Sequence, residues 1–220
     1  DLPGGAIQHD AGAAADADGD TLSFHWTLPC EGGSFDDADS ATPVLTLTGD
    51  CLCAEGLVVT LHVSDGFDIT TCEAAIVLDD QRPPVVEVVG EPLLLWAPNH
   101  KYATYGPEAF IVRAEDACGG PIDVATVAVV SVTSDEPDDA TGDGRTIDDI
   151  LITCPNIVKL RAERMGGGDG RVYTVTYRVT ADSGQYVDVV GKVVVPHDAS
   201  SPIAGEDPAG GFTVVPDCLD

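Results

Sequence analysis

Apolar and polar side chains alternate with a period of two along almost the whole chain, a pattern that suits strands and not helices. In Leu22-Ser23-Phe24-His25-Trp26-Thr27-Leu28, the residues Leu22, Phe24, Trp26 and Leu28 fall on one face, and Ser23, His25 and Thr27 on the other. The same alternation recurs at Val44 to Leu47, Leu57 to Val63, Cys72 to Leu78, Val85 to Val89, Ala109 to Arg113, Val124 to Val132, Ile157 to Arg161, Val172 to Val179 and Val187 to Val195. Val, Thr and Ile dominate these runs, and Gly, Pro, Asp and Asn separate them, as β-strands and their turns require. With 24 Gly and 15 Pro in 220 residues a long helix has little room, and only Asp148 to Leu151 is expected to make a helical turn. Short strands at this density mean an all-β sandwich architecture.

The surface is strongly acidic. There are 38 Asp and Glu against 10 Lys and Arg, a formal charge of −28, while 44% of residues are hydrophobic and suffice for a core. That charge excludes nucleic acid and anionic membranes as partners and favours cations. No apolar run approaches the ~20 residues that cross a bilayer, so no membrane insertion is expected. The opening Asp-Leu-Pro-Gly-Gly does not read as a signal peptide. A boundary is expected at Asp79-Asp80-Gln81-Arg82-Pro83-Pro84, where two prolines follow a charged run. Residues 1–82 hold 16 acids and one base, Arg82, and the remainder holds 22 acids and nine bases. The expected division is a sandwich over 1–82, a second over 83–198, and a C-terminal strand within 199–220.

Seven cysteines, at 30, 51, 53, 72, 118, 154 and 218, lack the paired C-x2-C spacing of a zinc site, and the five histidines are scattered. Disulfides in an oxidising, extracellular setting are the better reading. Cys118 and Cys154, the two cysteines of the second domain, are expected to pair, leaving Cys30, Cys51, Cys53 and Cys72 for the first. The odd count leaves one thiol over, and Cys218, near the end, is the natural candidate.

Two resemblances sharpen this outline. Asp16-Ala17-Asp18-Gly19-Asp20-Thr21-Leu22-Ser23-Phe24-His25-Trp26 resembles the D-P-D-G-D-T-L-x-Y-x-W signature of PKD-type domains. Ser34-Phe35-Asp36-Asp37 to Thr42-Pro43 and Val59-Thr60-Leu61-His62-Val63-Ser64-Asp65-Gly66 resemble later stretches of the same family. The second segment resembles the module marked by L-W-P-P-N-H-K in bacterial surface proteins. Here that motif reads Leu95-Trp96-Ala97-Pro98-Asn99-His100-Lys101. Further matches are Ser134-Asp135-Glu136-Pro137, Leu160-Arg161-Ala162-Glu163-Arg164, Gly168-Asp169-Gly170-Arg171-Val172-Tyr173 and Val195-Pro196-His197-Asp198. The resemblances imply two immunoglobulin-like β-sandwiches in tandem, on an extracellular protein at the cell surface, and carry no catalytic assignment.

PKD-type domains begin with a strand that is missing before Gly4, and a stretch like it stands at the other end. Pro202 and Ile203, then Phe212, Val214, Val215 and Cys218, read as that strand, so the unit looks circularly shifted. The expected consequence is a head-to-tail contact in which this strand completes the first domain of another copy, giving a filament or stalk. A covalent junction through Cys218 is part of the expectation. Return of the tail to its own first domain, or a disordered tail, is the alternative.

Asp16, Asp18 and Asp20 put three carboxylates in five residues, with Asp65 as a further candidate, a density that suits calcium (Ca2+). Thr27 stands where an EF-hand needs glutamate, so the frame is not that one, and an ordinary acidic turn capping its own backbone is the alternative reading. In the second acidic loop Asp135, Glu136 and Asp143 are the candidate ligands, against a solvated loop. Asn99 and His100 are expected to pin the turn at Pro98. Gly166-Gly167-Gly168-Asp169-Gly170 lacks the Lys-Ser/Thr of a phosphate loop and reads as a hairpin turn. Trp26 is read as core, and Trp96 as core rather than as a carbohydrate platform. No G-x-S-x-G appears. The chain is therefore expected to be non-enzymatic: a calcium-stiffened structural protein or, alternatively, a spacer or binding module of a larger secreted hydrolase or adhesin.

Overall fold

The computed structural model describes residues 6–139, 144, 146–198 and 211–217. Asp143, Pro202, Ile203 and Cys218 lie outside the described residues. The chain divides into two units, residues 1–80 and 81–220.

The first unit contains β1 (Ala6–Gln8), β2 (Ser23–Thr27), β3 (Gly33–Phe35), β4 (Val44–Leu47), β5 (Leu57–Ser64) and β6 (Ile69–Ile76). They form two three-stranded antiparallel sheets, ordered β1-β4-β3 and β2-β5-β6. Alternation sorts the side chains. Leu45 and Leu47 of β4 and Leu57, Val59 and Leu61 of β5 are buried and meet Trp26 and Cys51 between the sheets. Each such side chain, removed from water, contributes about 1.5–3 kcal/mol. The Trp26 indole N–H donates to Ser40 O at 2.9 Å, so the ring is buried without an orphaned donor. A 3-10 turn at Gly49–Cys53 brings Cys51 to Cys30, and the two form a disulfide with their Cα atoms 5.8 Å apart.

The second unit contains β7 (Val85–Val88), β8 (Leu93–Leu94), β9 (Tyr102–Tyr105), β10 (Ile111–Asp116), β11 (Gly120–Pro121), β12 (Ala128–Ser134), β13 (Ile150–Thr153), β14 (Ile157–Arg161), β15 (Gly170–Thr180), β16 (Tyr186–Pro196) and β17 (Phe212–Val214). Its largest sheet is ordered β17-β12-β15-β16-β8, and two three-stranded sheets run β13-β14-β9 and β11-β10-β7. The β15–β16 ladder runs unbroken from Gly170↔Pro196 to Thr180↔Tyr186. Val129, Val132, Val158, Leu160, Val175, Tyr177 and Val193 fill the core. Val129 and Val132 are three apart yet both face inward, because the register of β12 slips between Val129 and Ser131. Gly191 is where the backbone of β16 meets Phe110: a Cβ there would stand 2.1 Å from the ring.

Several local expectations are corrected. Ile150–Thr153 is the extended strand β13, paired with β14, so no helical turn spans Asp148 to Leu151. The run from Val124 opens with a 3-10 turn, capped where the Asp123 carboxylate accepts from Ala125 N, and its strand starts only at Ala128. The stretch Gly166 to Gly170 joins β14 to β15, strands of two different sheets, and is not a hairpin turn. Trp96 is 46% exposed and is no core residue. The largest correction is the tail. Phe212 and Val214, read as leaving for another copy, pair instead with β12 of their own chain, Ser134↔Phe212 and Val132↔Val214, and Val215 is exposed just beyond.

Candidate functional site

One side of the first unit is open. Register places Cys72 opposite Leu61, Ala74 opposite Val59 and Ile76 opposite Leu57, so these β6 side chains share the face on which β5 builds the core. Yet every β6 residue from Ile69 to Ala75 is exposed. Among the described residues β6 pairs only with β5, and its outer edge presents unpaired backbone groups. Beside it lies a groove of about 370 Å³ whose walls include Ala11, Trp26, Leu61, Val63 and Cys72, with Asp10 and Glu73 as acidic lining. The His9 ring stacks 5.1 Å from Trp26 along this groove, and its Nε2 has no hydrogen-bond partner. Burial lowers the His9 pKa, so the ring is neutral above mildly acidic pH.

The second unit gathers the motif residues into one buried ionic cluster. The Arg171 side chain, fully buried, donates from Nε to Glu136 Oε2 at 3.1 Å, from Nη2 to Pro137 O at 3.0 Å, and from Nη1 to Asp149 and the Tyr173 hydroxyl. Arg161 donates from Nη2 to the Tyr102 hydroxyl at 2.5 Å and to Ile147 O at 2.8 Å, and its Nε stands 3.3 Å from Asp149 Oδ1. Glu163 accepts from Thr146 Oγ1 at 2.5 Å and lies 2.8 Å from His100 Nδ1. Tyr173 OH closes the ring on Arg161 O at 2.9 Å. Burial pushes the Asp149 carboxyl up to about 8, and its hydrogen bond to Glu163 reinforces the shift. Burial also opposes the charged Glu163, but hydrogen bonds from Asp149, Thr146 and His100 outweigh it and hold Glu163 ionised. With Asp149 neutral, two guanidinium groups face two carboxylates, and the cluster balances. Asn99 Oδ1 accepts from Lys101 N at 3.0 Å, pinning the turn after Pro98 as expected. Arg164 holds His197 O with two N–H groups. Fragments spread from Asn99 to His197 thus tie the loops of the second unit together.

Four of the carboxylates expected to bind calcium, Asp16, Asp65, Asp135 and Glu136, accept hydrogen bonds from the chain itself. Asp16 Oδ1 accepts from the backbone N–H of Asp18 and Asp20, and Asp65 Oδ1 from Phe67 N and Asp68 N. Those two backbone bonds hold the Asp65 pKa below its usual value. Asp135 Oδ1 accepts from Val172 N, and Glu136 is held by Arg171 and Met165 N. Among the described residues no three His, Cys, Asp or Glu side chains form a group that would hold a metal.

Beyond the Cys30–Cys51 bridge, Cys53, Cys118 and Cys154 are also disulfide-bonded. Among the described residues the free thiol is Cys72, exposed at the groove; Cys218, the expected candidate, lies outside them. The open edge was missed because Cys72 to Leu78 alternates like any half-buried strand. Only the absence of a covering strand in space reveals it.

The architecture is all-β, two units built of antiparallel-dominated sheets. No family model matches the chain, and no curated protein matches it. Among solved structures it is similar to human protocadherin-24 EC1-2, at 14% identity and TM-score 0.45, over 81% of each chain. It is also similar to mouse cadherin-23 EC22-24, at 15% identity and TM-score 0.41, covering 80% of this chain and 53% of that one. An endo-fucoidan hydrolase of glycoside hydrolase family 107 matches at 17% identity and TM-score 0.29, over 81% of this chain and 24% of that one.

Proposed function

We propose that the chain is a non-enzymatic, extracellular structural module whose first unit receives an extended strand from another polypeptide along β6. The observation that carries this reading is the core-facing side of β6. Cys72 and Ala74 point where a sandwich keeps its interior, yet nothing described covers them. A strand added there would pair the free backbone edge and fill the groove against Trp26 and Leu61. The disulfide-bonded cysteines support an oxidising setting. In this reading the chain's own tail is not the donor, because Phe212–Val214 already lies on β12.

The test uses the Cys72 thiol as reporter. In the chain alone, Cys72 should react with a thiol reagent within several-fold of the rate seen in denaturant, and half the β6 amides should exchange rapidly. A neutral extended peptide, Thr-Val-Thr-Val-Thr-Val-Thr with alternate amides N-methylated against self-pairing, should slow both. A monomeric chain in which Cys72 is already protected would refute the open edge. Failure of the peptide to protect at any soluble concentration would refute strand acceptance.

A further inference from the structure

The first unit has 16 Asp and Glu and not one Lys or Arg among residues 1–80. Its groove is lined on the acidic side by Asp10 and Glu73, with no Lys or Arg in the lining. We propose that the strand this groove accepts is a basic one: an extended segment of a different protein, apolar on its inward side chains and rich in Lys or Arg on the others. The inference rests on the strand-acceptor reading above and adds the chemistry of the occupant.

Three observations select that occupant. The first is the unpaired edge of β6, whose N–H and C=O groups call for another polypeptide backbone; a small cation or a sugar would not pair it. The second is the apolar wall formed by Trp26, Leu61 and Val63, which takes alternate apolar side chains at strand spacing. The third is the charge. A second copy would bring another unit of the same sign and a whole chain of −28, so self-association meets repulsion at every approach. Nor, among the described residues, does this chain hold a basic strand free to lend: Arg113, Lys159, Arg161, Arg171, Arg178 and Lys192 lie on strands already paired within the second unit. Acidic field and unpaired edge therefore favour a cationic strand, and electrostatic steering would speed its arrival.

The experiment titrates the full chain with three peptides of one apolar pattern: Lys-Val-Lys-Val-Lys-Val-Lys, the Thr-Val version and Glu-Val-Glu-Val-Glu-Val-Glu, each with alternate amides N-methylated. Binding is read as protection of Cys72 from the thiol reagent and as fluorescence anisotropy of labelled peptide. The Lys peptide should bind at least about tenfold more tightly than the Thr peptide at low salt, and the Glu peptide most weakly. The Lys advantage should shrink to within about twofold near 0.5 M salt, where screening acts within a few Å. Glu73→Gln, an exposed change, should weaken the Lys peptide about threefold and the Thr peptide by less. Equal binding of the Lys and Thr peptides overturns the charge inference while the strand-acceptor reading stands. Protection by none of the three overturns both. Protection of Cys72 in the chain alone, with a dimer in sedimentation, overturns the proposal in favour of a second copy. Loss of protection by the Lys peptide when spermine is added in excess is expected, whereas protection by spermine itself would refute the need for a backbone.

Discussion

Asp149→Asn separates two accounts of the ionic cluster. Asp149 is completely buried, with Arg171 on one oxygen and the Nε of Arg161 3.3 Å from the other. Its carboxyl is raised from 3.8 to about 8, first by burial and then by the hydrogen bond to Glu163. The native state therefore holds a proton that the unfolded chain releases near pH 3.8, and stability falls as pH rises from there to about 8, then levels off. The limiting slope is about 1.4 kcal/mol per pH unit for one proton. Asparagine reproduces the neutral acid: its NH2 donates to Glu163 and its oxygen accepts from Arg171. At neutral pH the variant should lose less than about 1 kcal/mol, and from about pH 5 to 8 its stability should slope less steeply than the wild type. If Asp149 were instead the charged partner of Arg171, its removal would leave a buried guanidinium uncompensated at a cost of about 3–5 kcal/mol. Calorimetry of both proteins across that range, with the carboxyl carbon of Asp149 followed by 13C NMR, decides it. An ionised chemical shift at neutral pH, or a drop of some 10 °C in the second unit's melting temperature, refutes the neutral carboxyl.

Four further outcomes follow from the same geometry. Arg171→Met should cost about 3–5 kcal/mol by stranding Glu136, read as loss of the second unit's melting transition at moderate temperature. Gly191→Ala should destabilise by about 1–3 kcal/mol in urea titration, because its Cβ overlaps the Phe110 ring. Replacing Cys30 and Cys51 together by Ala opens a loop with a sequence separation of 21 and should lower first-unit stability by about 3 kcal/mol in denaturant titration. Millimolar calcium should shift neither melting transition by more than about 1 °C relative to EDTA; a larger rise would show a cation site that the described carboxylates do not form.

The all-β fold was legible because buried faces impose a period of two, and Leu57, Val59, Leu61 and Val63 show it plainly. The short strands β1, β3 and β9 were not, since Ala6–Gln8, Gly33–Phe35 and Tyr102–Tyr105 lack the dense Val and Leu alternation of β4; Tyr102–Tyr105 pairs with β14 through its backbone. The ionic cluster was present in the sequence only as scattered motif fragments. Glu136 reads as a solvated acid or a metal ligand until Arg171, 35 positions on, is seen to reach it. The tail failed for a related reason. Phe212 to Val214 is visibly a strand, but alternation says nothing about which edge it joins, and β12 in the same chain was the edge at hand. Cys72 escaped because a free thiol is defined by what lies opposite it.

The lack of Lys and Arg in the first unit has a consequence for how it meets proteases. Proteases that cut after basic residues find no bond to attack anywhere in residues 1–80, and the first basic residue, Arg82, is shielded by the proline that follows it. Digestion by such an enzyme should begin no earlier than Lys101 and release the first unit in one piece, while amine-directed cross-linkers would find no lysine side chain there.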